Sequence, residues 1–504
     1  MNINLNRKIK IPIYEQIKKQ ITDKIISGEW KKGFILPSER ELSKILGVNR
    51  STINRAYLDL KSEGLVSSQI GSGTVVNRQI EKTSSKYDYL VPEIDWPQHM
   101  VINSELKNNK IIKKILKNQS DEIISFAGGF VGDDSLPVRM LQKLSTDCFK
   151  KYTSKMIAPA EVYGISELRK EICIHMLDKG INSTLRECMI LSGSQQGIDF
   201  FSRAFLNHGD IVFTESPTYI GAIQIFKSYG AKVIGIPIDE DGMNTDIMEN
   251  YLNRYKPKFI YTIPTYQNPS GTTLSTKRRN KLLELAYSYQ IPILEDDPYS
   301  DIGFENRIIP PLKALDSYDY VAYLSTFSKK FYMGGRIGWI ICNNEILQKF
   351  GELKQITDLH ANTVNQYFIY EALKNGLLRE HMNLLISQVR EKRDLMIEEL
   401  LKKGIPEKSF SIPKGGFYIW LKIDEEINMN NFLARCKNEK VLVMPGDAFF
   451  PNTYGINQYI RLNYSSPSLK AIPEGVSRIV NSLNYSRKMN HIEEENKFSD
   501  NPIV

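Results

Sequence analysis

Lys329 stands in Ser325-Thr326-Phe327-Ser328-Lys329-Lys330, and Gly334-Gly335-Arg336-Ile337-Gly338 follows closely, so hydroxyls, an amine and a guanidinium gather in one short stretch. A lysine amine can bind a carbonyl compound covalently, and a guanidinium among hydroxyls can hold a phosphate. Four other segments, each reading as the end of a strand, add what such chemistry needs. Ser192-Gly193-Ser194-Gln195-Gln196-Gly197 lies between an apolar run and a helical stretch, which would aim backbone amides at an anion. Glu215-Ser216-Pro217-Thr218-Tyr219 offers an aromatic face. Pro264-Thr265-Tyr266-Gln267-Asn268-Pro269-Ser270-Gly271 carries the amide of Asn268 in a proline-rich loop, and Glu295-Asp296-Asp297-Pro298-Tyr299 closes a strand with carboxylates and a phenol. A phosphate cradle, a stacking aromatic, a carboxylate and a lysine are together the requirements of pyridoxal phosphate. The lysine holds its aldehyde as a Schiff base, and the carboxylate keeps the pyridine nitrogen protonated. The six histidines show no metal-ligand spacing, and no metal site is expected.

These loops need a scaffold that brings strand ends together. Short β-prone runs at Cys188–Leu191, Ile211–Thr214, Lys232–Ile236, Phe259–Ile263 and Ile291–Glu295 alternate with helical stretches. That order predicts an α/β domain with a mainly parallel sheet. No internal repeat is present. At 504 residues the chain exceeds one ordinary core, taking roughly 100 to 200 residues per domain as the guide.

A separate small module precedes it. Ile13, Ile17, Ile21 and Ile25 recur every four residues after Pro12, which predicts a helix with one apolar stripe, ending at Gly28. Ser38 and Glu41 have capping-box spacing ahead of Leu42, Ile45 and Leu46, and Gly47 closes that second helix. A third helix over about 50–63 buries Ile53, Tyr57 and Leu60 and leaves Arg50, Ser51, Asn54 and Arg55 polar near its start. Helix, tight turn and helix with a polar leading end suits a major groove. Leu65 to Val76 then reads as a hairpin about Gly71-Ser72-Gly73.

Charge agrees with that division. Net charge is +8, and residues 1–78 hold 14 Lys+Arg against 7 Asp+Glu, leaving 52 against 51 for the remainder. A basic head on a neutral body is the footprint of nucleic-acid binding. No apolar run approaches the ~18 residues needed to span a bilayer, and charges occupy the N-terminus where a signal peptide would be apolar, so a cytoplasmic protein is expected. Five scattered cysteines suggest reduced, buried thiols.

The head resembles the GntR-type winged helix-turn-helix family in Tyr14-x-Gln16-Ile17, Leu36-Pro37-Ser38-Glu39-Arg40-Glu41-Leu42, Arg50-Ser51-Thr52 and the Gly-Ser-Gly wing. The resemblance implies that Arg40, Arg50, Ser51, Thr52 and Asn54 contact a double-stranded DNA operator and that Gly71 and Gly73 reach toward the minor groove. The rest resembles fold-type I aminotransferases of the class I/II group, with a small C-terminal α/β subdomain. Head and body together resemble the MocR/GabR family of regulators. On that resemblance Lys329 is the Schiff-base lysine and Asp296 the partner of the pyridine nitrogen. Asn268 and Tyr299 bond the ring hydroxyl, Tyr219 stacks, and Ser194, Gln195, Thr326, Ser328 and Arg336 hold the phosphate. Arg461, in Tyr459-Ile460-Arg461-Leu462-Asn463-Tyr464, matches the arginine that binds an amino-acid carboxylate. Asp297 is read as a structural neighbour.

The implied boundaries are 1–78 for the DNA-binding head, 79–120 for a linker, 121–485 for the pyridoxal-phosphate-binding domain and 486–504 for a polar tail. Within the linker Asp95-Trp96-Pro97 reads as loop, whereas 107–117 could form a short basic helix. The implied function is transcription regulation responding to pyridoxal phosphate and an amino acid or amine effector, in a homodimer. The alternative is a working aminotransferase that carries a DNA-binding head. One departure stands out: family members offer a tyrosine some residues ahead of Gly164-Ile165-Ser166-Glu167-Leu168-Arg169 to the partner subunit's phosphate, whereas here Tyr163 adjoins the glycine.

Overall fold

A computed structural model describes residues 3–7, 11–69, 73–77, 95–99, 122–305, 309–452 and 458–499. The chain divides into two compact units, Met1–Ile102 and Asn103–Val504.

In the first unit α1 (Ile13–Ile26) begins after Pro12 and buries Gln16, Ile17, Ile21 and Ile25 on one face. β1 (Ile35–Leu36) leads into α2 (Glu39–Leu46), where the Ser38 side chain accepts from Glu41 N and Gly47 ends the helix at φ 60. A left-handed residue there suits glycine, which has no Cβ to clash. α3 (Arg50–Ser62) is capped by Asn49, whose side chain accepts from Ser51 N. β2 (Val66–Gln69) and β3 (Gly73–Val76) form the hairpin, and β1 adds to β3 to give an antiparallel sheet of order β1-β3-β2. Ile17, Ile21, Leu42, Ile53, Ala56 and Leu60 are fully buried at its centre, each large aliphatic contributing roughly 1.5–3 kcal/mol by leaving water. Gly71 lies outside the described residues.

Of the linker reading, 107–117 lies outside the described residues. The loop reading at Asp95-Trp96-Pro97 is corrected, because Trp96–His99 forms a single helical turn. Proline fits at the start of a helix, where its missing N–H has no partner to lose.

The second unit opens with β4 (Ile124–Ser125). Its main sheet holds β5 (Cys188–Leu191), β6 (Ile211–Ser216), β7 (Lys232–Asp239), β8 (Gly242–Met243), β9 (Phe259–Thr262), β10 (Ile293–Asp296), β11 (Val321–Thr326) and β12 (Gly338–Ile341). The order is β5-β12-β11-β10-β9-β6-β7-β8. The neighbours from β11 through β7 are parallel, β12 runs against β11 and β5, and β8 turns back on β7. β5, β6, β9, β10 and β11 therefore point the same way, and the loops after them emerge along one edge. In open α/β sheets that edge is where ligands bind.

A second, antiparallel sheet is built from β13 (Tyr418–Lys422), β15 (Met444–Pro445) and β16 (Tyr459–Asn463) in the order β13-β16-β15, while β14 (Val441–Leu442) pairs with β4. Arg461 sits on β16 opposite Trp420 and Met444. The stretch expected as a polar tail starts inside the helix Ala471–Ser499, because Ile472, Val476, Ile479, Val480 and Leu483 are buried and anchor a helix that carries on into the polar residues. Among the described residues no helix is long and apolar enough to cross a membrane.

Candidate functional site

The edge where those strands end gathers the residues singled out for chemistry. Asp296, the last residue of β10, is 3% exposed. Tyr261 on neighbouring β9 donates to its Oδ2 at 2.8 Å, while Oδ1 is buried without any hydrogen-bond partner. Burial raises the Asp296 carboxyl to about 7, helped by Asp297 and Glu215 and opposed by the Tyr261 hydrogen bond and by Lys329. A buried carboxylate oxygen with nothing to accept is costly, so the position is built for a donor. Lys329, in the turn after β11, donates from Nζ to Gly129 O at 2.5 Å. Burial lowers its amine to about 8, with Arg461 and Arg336 adding to the effect and Asp296 opposing it.

At the other end, Gly193 takes φ +85 ahead of the helix Ser194–Phe205. A Cβ on Gly193 would lie 2.4 Å from the Arg336 guanidinium. Only glycine lets the arginine close over this turn. Arg336, itself at φ 52, donates to Ser328 Oγ and to Ser192 O, both at 3.4 Å. Ser328 N in turn donates to Thr326 Oγ1 at 3.1 Å. Ser194 and Gln195 thus open a helix N-terminus facing a guanidinium and two hydroxyls, an arrangement that suits a phosphate dianion. Tyr219 donates to Gln195 Oε1 at 3.0 Å, tying the aromatic face to the same loop.

Between these ends lie the polar groups expected to face a ring oxygen and a carboxylate. Tyr299 is 3.0 Å from Tyr418, hydroxyl to hydroxyl. Asn268 Oδ1 accepts from Arg461 Nη1 at 3.0 Å, which leaves the amide nitrogen as the end to face a ligand. Arg461 Nη2 donates to Ala127 O at 2.7 Å and Gly128 O at 3.0 Å, and its planar group lies over the rings of Tyr418 and Phe449 at 4.3 and 4.9 Å. All ten predicted residues and Arg461 therefore converge on one region. Asn268, Asp296, Tyr299, Thr326, Ser328 and Arg461 are buried, whereas Ser194, Gln195, Tyr219 and Lys329 are half-buried and Arg336 is exposed.

Other residues of the site escaped sequence reasoning. Tyr261 is one, and a lone phenol inside the apolar run of β9 was its only signal. Glu215 is another: it accepts from Thr262, twice from Ile263 N at 2.9 and 3.2 Å, from Thr218 at 3.3 Å and from Gln267 at 3.4 Å. Burial pushes its carboxyl up to about 7 against those hydrogen bonds. It joins the Tyr219 loop to the Asn268 loop. Behind them Lys179 pairs with Asp297 at 3.4 Å and Asp301 at 2.9 Å, and Lys330 pairs with Asp301. Lys330 is thereby committed away from Lys329. Tyr163 turns inward, since a Cβ on Gly351 would meet its hydroxyl at 2.7 Å. Among the described residues no cluster of His, Cys, Asp or Glu is arranged to hold a metal ion.

The head presents its own polar surface. Glu39, at the start of α2, accepts from Arg50 Nε at 3.3 Å and from Asn54 Nδ2 at 2.9 Å, and so aligns two side chains of α3. Arg40, next to Glu39 in the chain, is exposed. Arg50 keeps 68% of its side chain exposed despite that contact, so most of its surface stays open to a ligand. Ser51 Oγ donates to Asn49 Oδ1 at 3.0 Å, Thr52 is half-buried, and Gly73 is exposed at φ 87. The Arg55 guanidinium lies 4.2 Å from the centre of the Tyr14 ring.

Comparison with known proteins agrees with both halves. Residues 159–479 match the family "Aminotransferase class I and II", and residues 13–76 match "Bacterial regulatory proteins, gntR family". The uncharacterized HTH-type transcriptional regulator YisV of Bacillus subtilis is 30% identical over 94% of this chain and 96% of its own length. Among solved structures, the multiple substrate aminotransferase of Thermococcus profundus superposes with a TM-score of 0.74 at 33% identity, covering 79% of this chain and all of that one. LysN, the α-aminoadipate aminotransferase of Thermus thermophilus, complexed with N-(5'-phosphopyridoxyl)-L-leucine, gives 0.72 at 29% identity, again over 79% of this chain and all of that one.

Proposed function

Because the chain belongs to the class I and II aminotransferase family and carries a gntR-family head, we propose that it is a transcription regulator that binds operator DNA through the head and pyridoxal phosphate through the large unit. An amino acid or amine is the proposed effector, an amino acid being held through its carboxylate at Arg461. The observation that carries the cofactor assignment is the buried, unpartnered Asp296 Oδ1 on the same strand-end edge as Lys329. Bound pyridoxal phosphate would supply an electron sink for chemistry at an amine. Asp296 Oδ1 would accept from the pyridine nitrogen, and the resulting ion pair would relieve the burial of an otherwise unmatched carboxylate. Ser194, Gln195, Thr326, Ser328 and Arg336 would hold the phosphate, with the Gly193 turn giving Arg336 its approach. Tyr219 would cover one face, while the Tyr299 hydroxyl and the Asn268 amide nitrogen would orient the ring oxygen. Lys329 Nζ, neutral in a substantial fraction near pH 8, would attach the cofactor and afterwards carry a proton to or from the reacting carbon. A structural relative that matches 79% of this chain was solved with a phosphopyridoxyl compound, which supports pyridoxal phosphate as the cofactor.

Support for regulation comes from the likeness, over 94% of this chain, to an uncharacterized HTH-type transcriptional regulator and from the charge excess of the head. We further propose a homodimer, with the large unit as the pairing element and boundaries near those read from the sequence, 1–78 for the head and 121–485 for the body. The complete Lys329–Asp296 pair also favours a second reading, an active aminotransferase with a DNA-binding head. Operator affinity, measured with and without pyridoxal phosphate and amino compounds alongside multiple-turnover transamination, separates them. The regulator reading expects cofactor-dependent DNA affinity and slow turnover. DNA affinity indifferent to both ligands, together with rapid turnover of a common amino acid, would replace it with the enzyme.

A further inference from the structure

Arg461, read above as the effector's carboxylate site, already has its best donors engaged. A guanidinium has five N–H groups: one on Nε and two on each Nη. Nη1 gives one to Asn268, Nη2 gives to Ala127 O and Gly128 O, and Nε is buried without a partner. A carboxylate is gripped by two parallel N–H bonds, which in this planar group are either Nε with Nη2 or Nη1 with Nη2. Nη2 belongs to both pairs. A carboxylate cannot be held in this way until at least one of the two backbone carbonyls lets go.

The carbonyls belong to a short strap. Lys329 Nζ holds the next one, Gly129 O, at 2.5 Å, so three consecutive carbonyls engage Arg461 and Lys329. Gly129 is confined here, since a Cβ would lie 3.1 Å from the Tyr418 hydroxyl. Asn463 fastens the strap from below: its Nδ2 donates to Gly128 O at 3.0 Å and Phe130 O at 3.1 Å, and its own N donates to Phe126 O at 2.8 Å. The Asn463 Oδ1 is held by Ser465 N at 2.7 Å and Ser465 Oγ at 2.8 Å, which orients the amide so that its NH2 faces the strap.

We propose that Ala127–Phe130 is an internal competitor for the effector carboxylate, fastened across the site by the positioning residue Asn463 and displaced from Arg461 when the carboxylate binds. The inference rests on the reading of Arg461 as a carboxylate site. It adds a regulatory consequence, because the strap comes soon after residues 79–120 on the path from the head.

The test uses the full chain loaded with pyridoxal phosphate, a mixture of the standard L-amino acids as probe, and Asn463→Ala, which removes the two Asn463 side-chain hydrogen bonds to the strap and leaves Arg461 and every proposed cofactor ligand in place. Hydrogen exchange of peptides spanning 124–132 should quicken about threefold or more in wild type at saturating probe, and Asn463→Ala should show the faster exchange without it. The probe should also perturb the cofactor's visible band at about threefold or more lower concentration in Asn463→Ala, because a weakened competitor raises ligand affinity whereas mere damage to the site lowers it. Equal or weaker response in the variant, or unchanged strap exchange in wild type while the band responds, would overturn the strap. A band unmoved in wild type would instead remove the effector reading, and the strap with it. Should Asn463→Ala fail to fold, the wild-type exchange result decides alone.

Discussion

At the residue scale, the site trades stability for function. The Asp296 carboxyl is raised by burial from its ordinary 3.8 to about 7, so the folded state binds its proton more tightly than the unfolded chain does. Stability then falls as pH rises from near 3.8 to about 7 and stays lowered above that. Asp296→Asn has no charge to bury: without cofactor it should melt higher than the parent at about pH 8 and show little difference at about pH 4, while binding pyridoxal phosphate more weakly. Thermal melts at both pH values and a cofactor titration check this, and a variant less stable at the higher pH would contradict the assigned cause. Lys329 gives a second pH signature. Its neutral amine is the nucleophile, and with burial lowering it to about 8 the rate of cofactor attachment should fall about tenfold per unit as pH drops below about 8. Borohydride trapping after timed mixing reads that rate, and Lys329→Ala should trap nothing. The lysine, carboxylate and arginine could be singled out because they stand in short local patterns. Tyr261, Glu215 and the carbonyls of 127–129 were not, since each matters through partners tens to hundreds of residues away, and a backbone carbonyl has no residue type to read.

At the element scale, local signals did well where one stretch settles its own conformation. The capping of α2 by Ser38 and Gly47 follows from side-chain and left-handed preferences that need no tertiary partner, and the five apolar runs became β5, β6, β7, β9 and β10. β12 was missed, because Gly334-Gly335-Arg336-Ile337-Gly338 was read for its phosphate chemistry while Gly338–Ile341 gains strand structure from pairing with β5 and β11, far away in sequence. The helix that runs into the polar tail had no local signal, because polar composition alone does not show that Ile472 to Leu483 anchor the preceding turns. Capping and recognition yield separate predictions for the head. Ser38→Ala removes the oxygen that accepts from Glu41 N and should cost about 1 kcal/mol of head stability, read by denaturant melting. Arg50→Ala should leave that stability nearly unchanged and weaken specific operator binding by about 1 to 3 kcal/mol at fixed salt. Equal DNA affinity for Arg50→Ala and parent would exclude a base-reading role, and the Glu39 contact would then be a surface ion pair only.

At the scale of the whole molecule, the division of labour was visible in charge before any element was assigned, since the head carries nearly all the excess and the body is close to neutral. The sheet order was not visible, because β5 borders β12 and β6 borders β9 across intervening chain that carries no local mark of the pairing. Charge and pairing bear together on the last prediction. If the large unit joins two copies, two basic heads meet one DNA duplex, and the second head binds at an effective concentration set by its tether rather than by bulk protein. An operator with two half-sites should therefore bind more tightly than the same duplex with one half-site scrambled, by a factor of about 10² to 10⁴ at fixed salt. Removing residues 1–78 should leave the remaining chain dimeric by light scattering yet without measurable affinity for either duplex, because a neutral body lacks the charge to hold phosphates. The one-half-site duplex binding as well as the intact operator would mean that a single head suffices. A headless chain that is monomeric at micromolar concentration would place the dimer contact elsewhere, and bivalent binding could then no longer be attributed to the aminotransferase-like body.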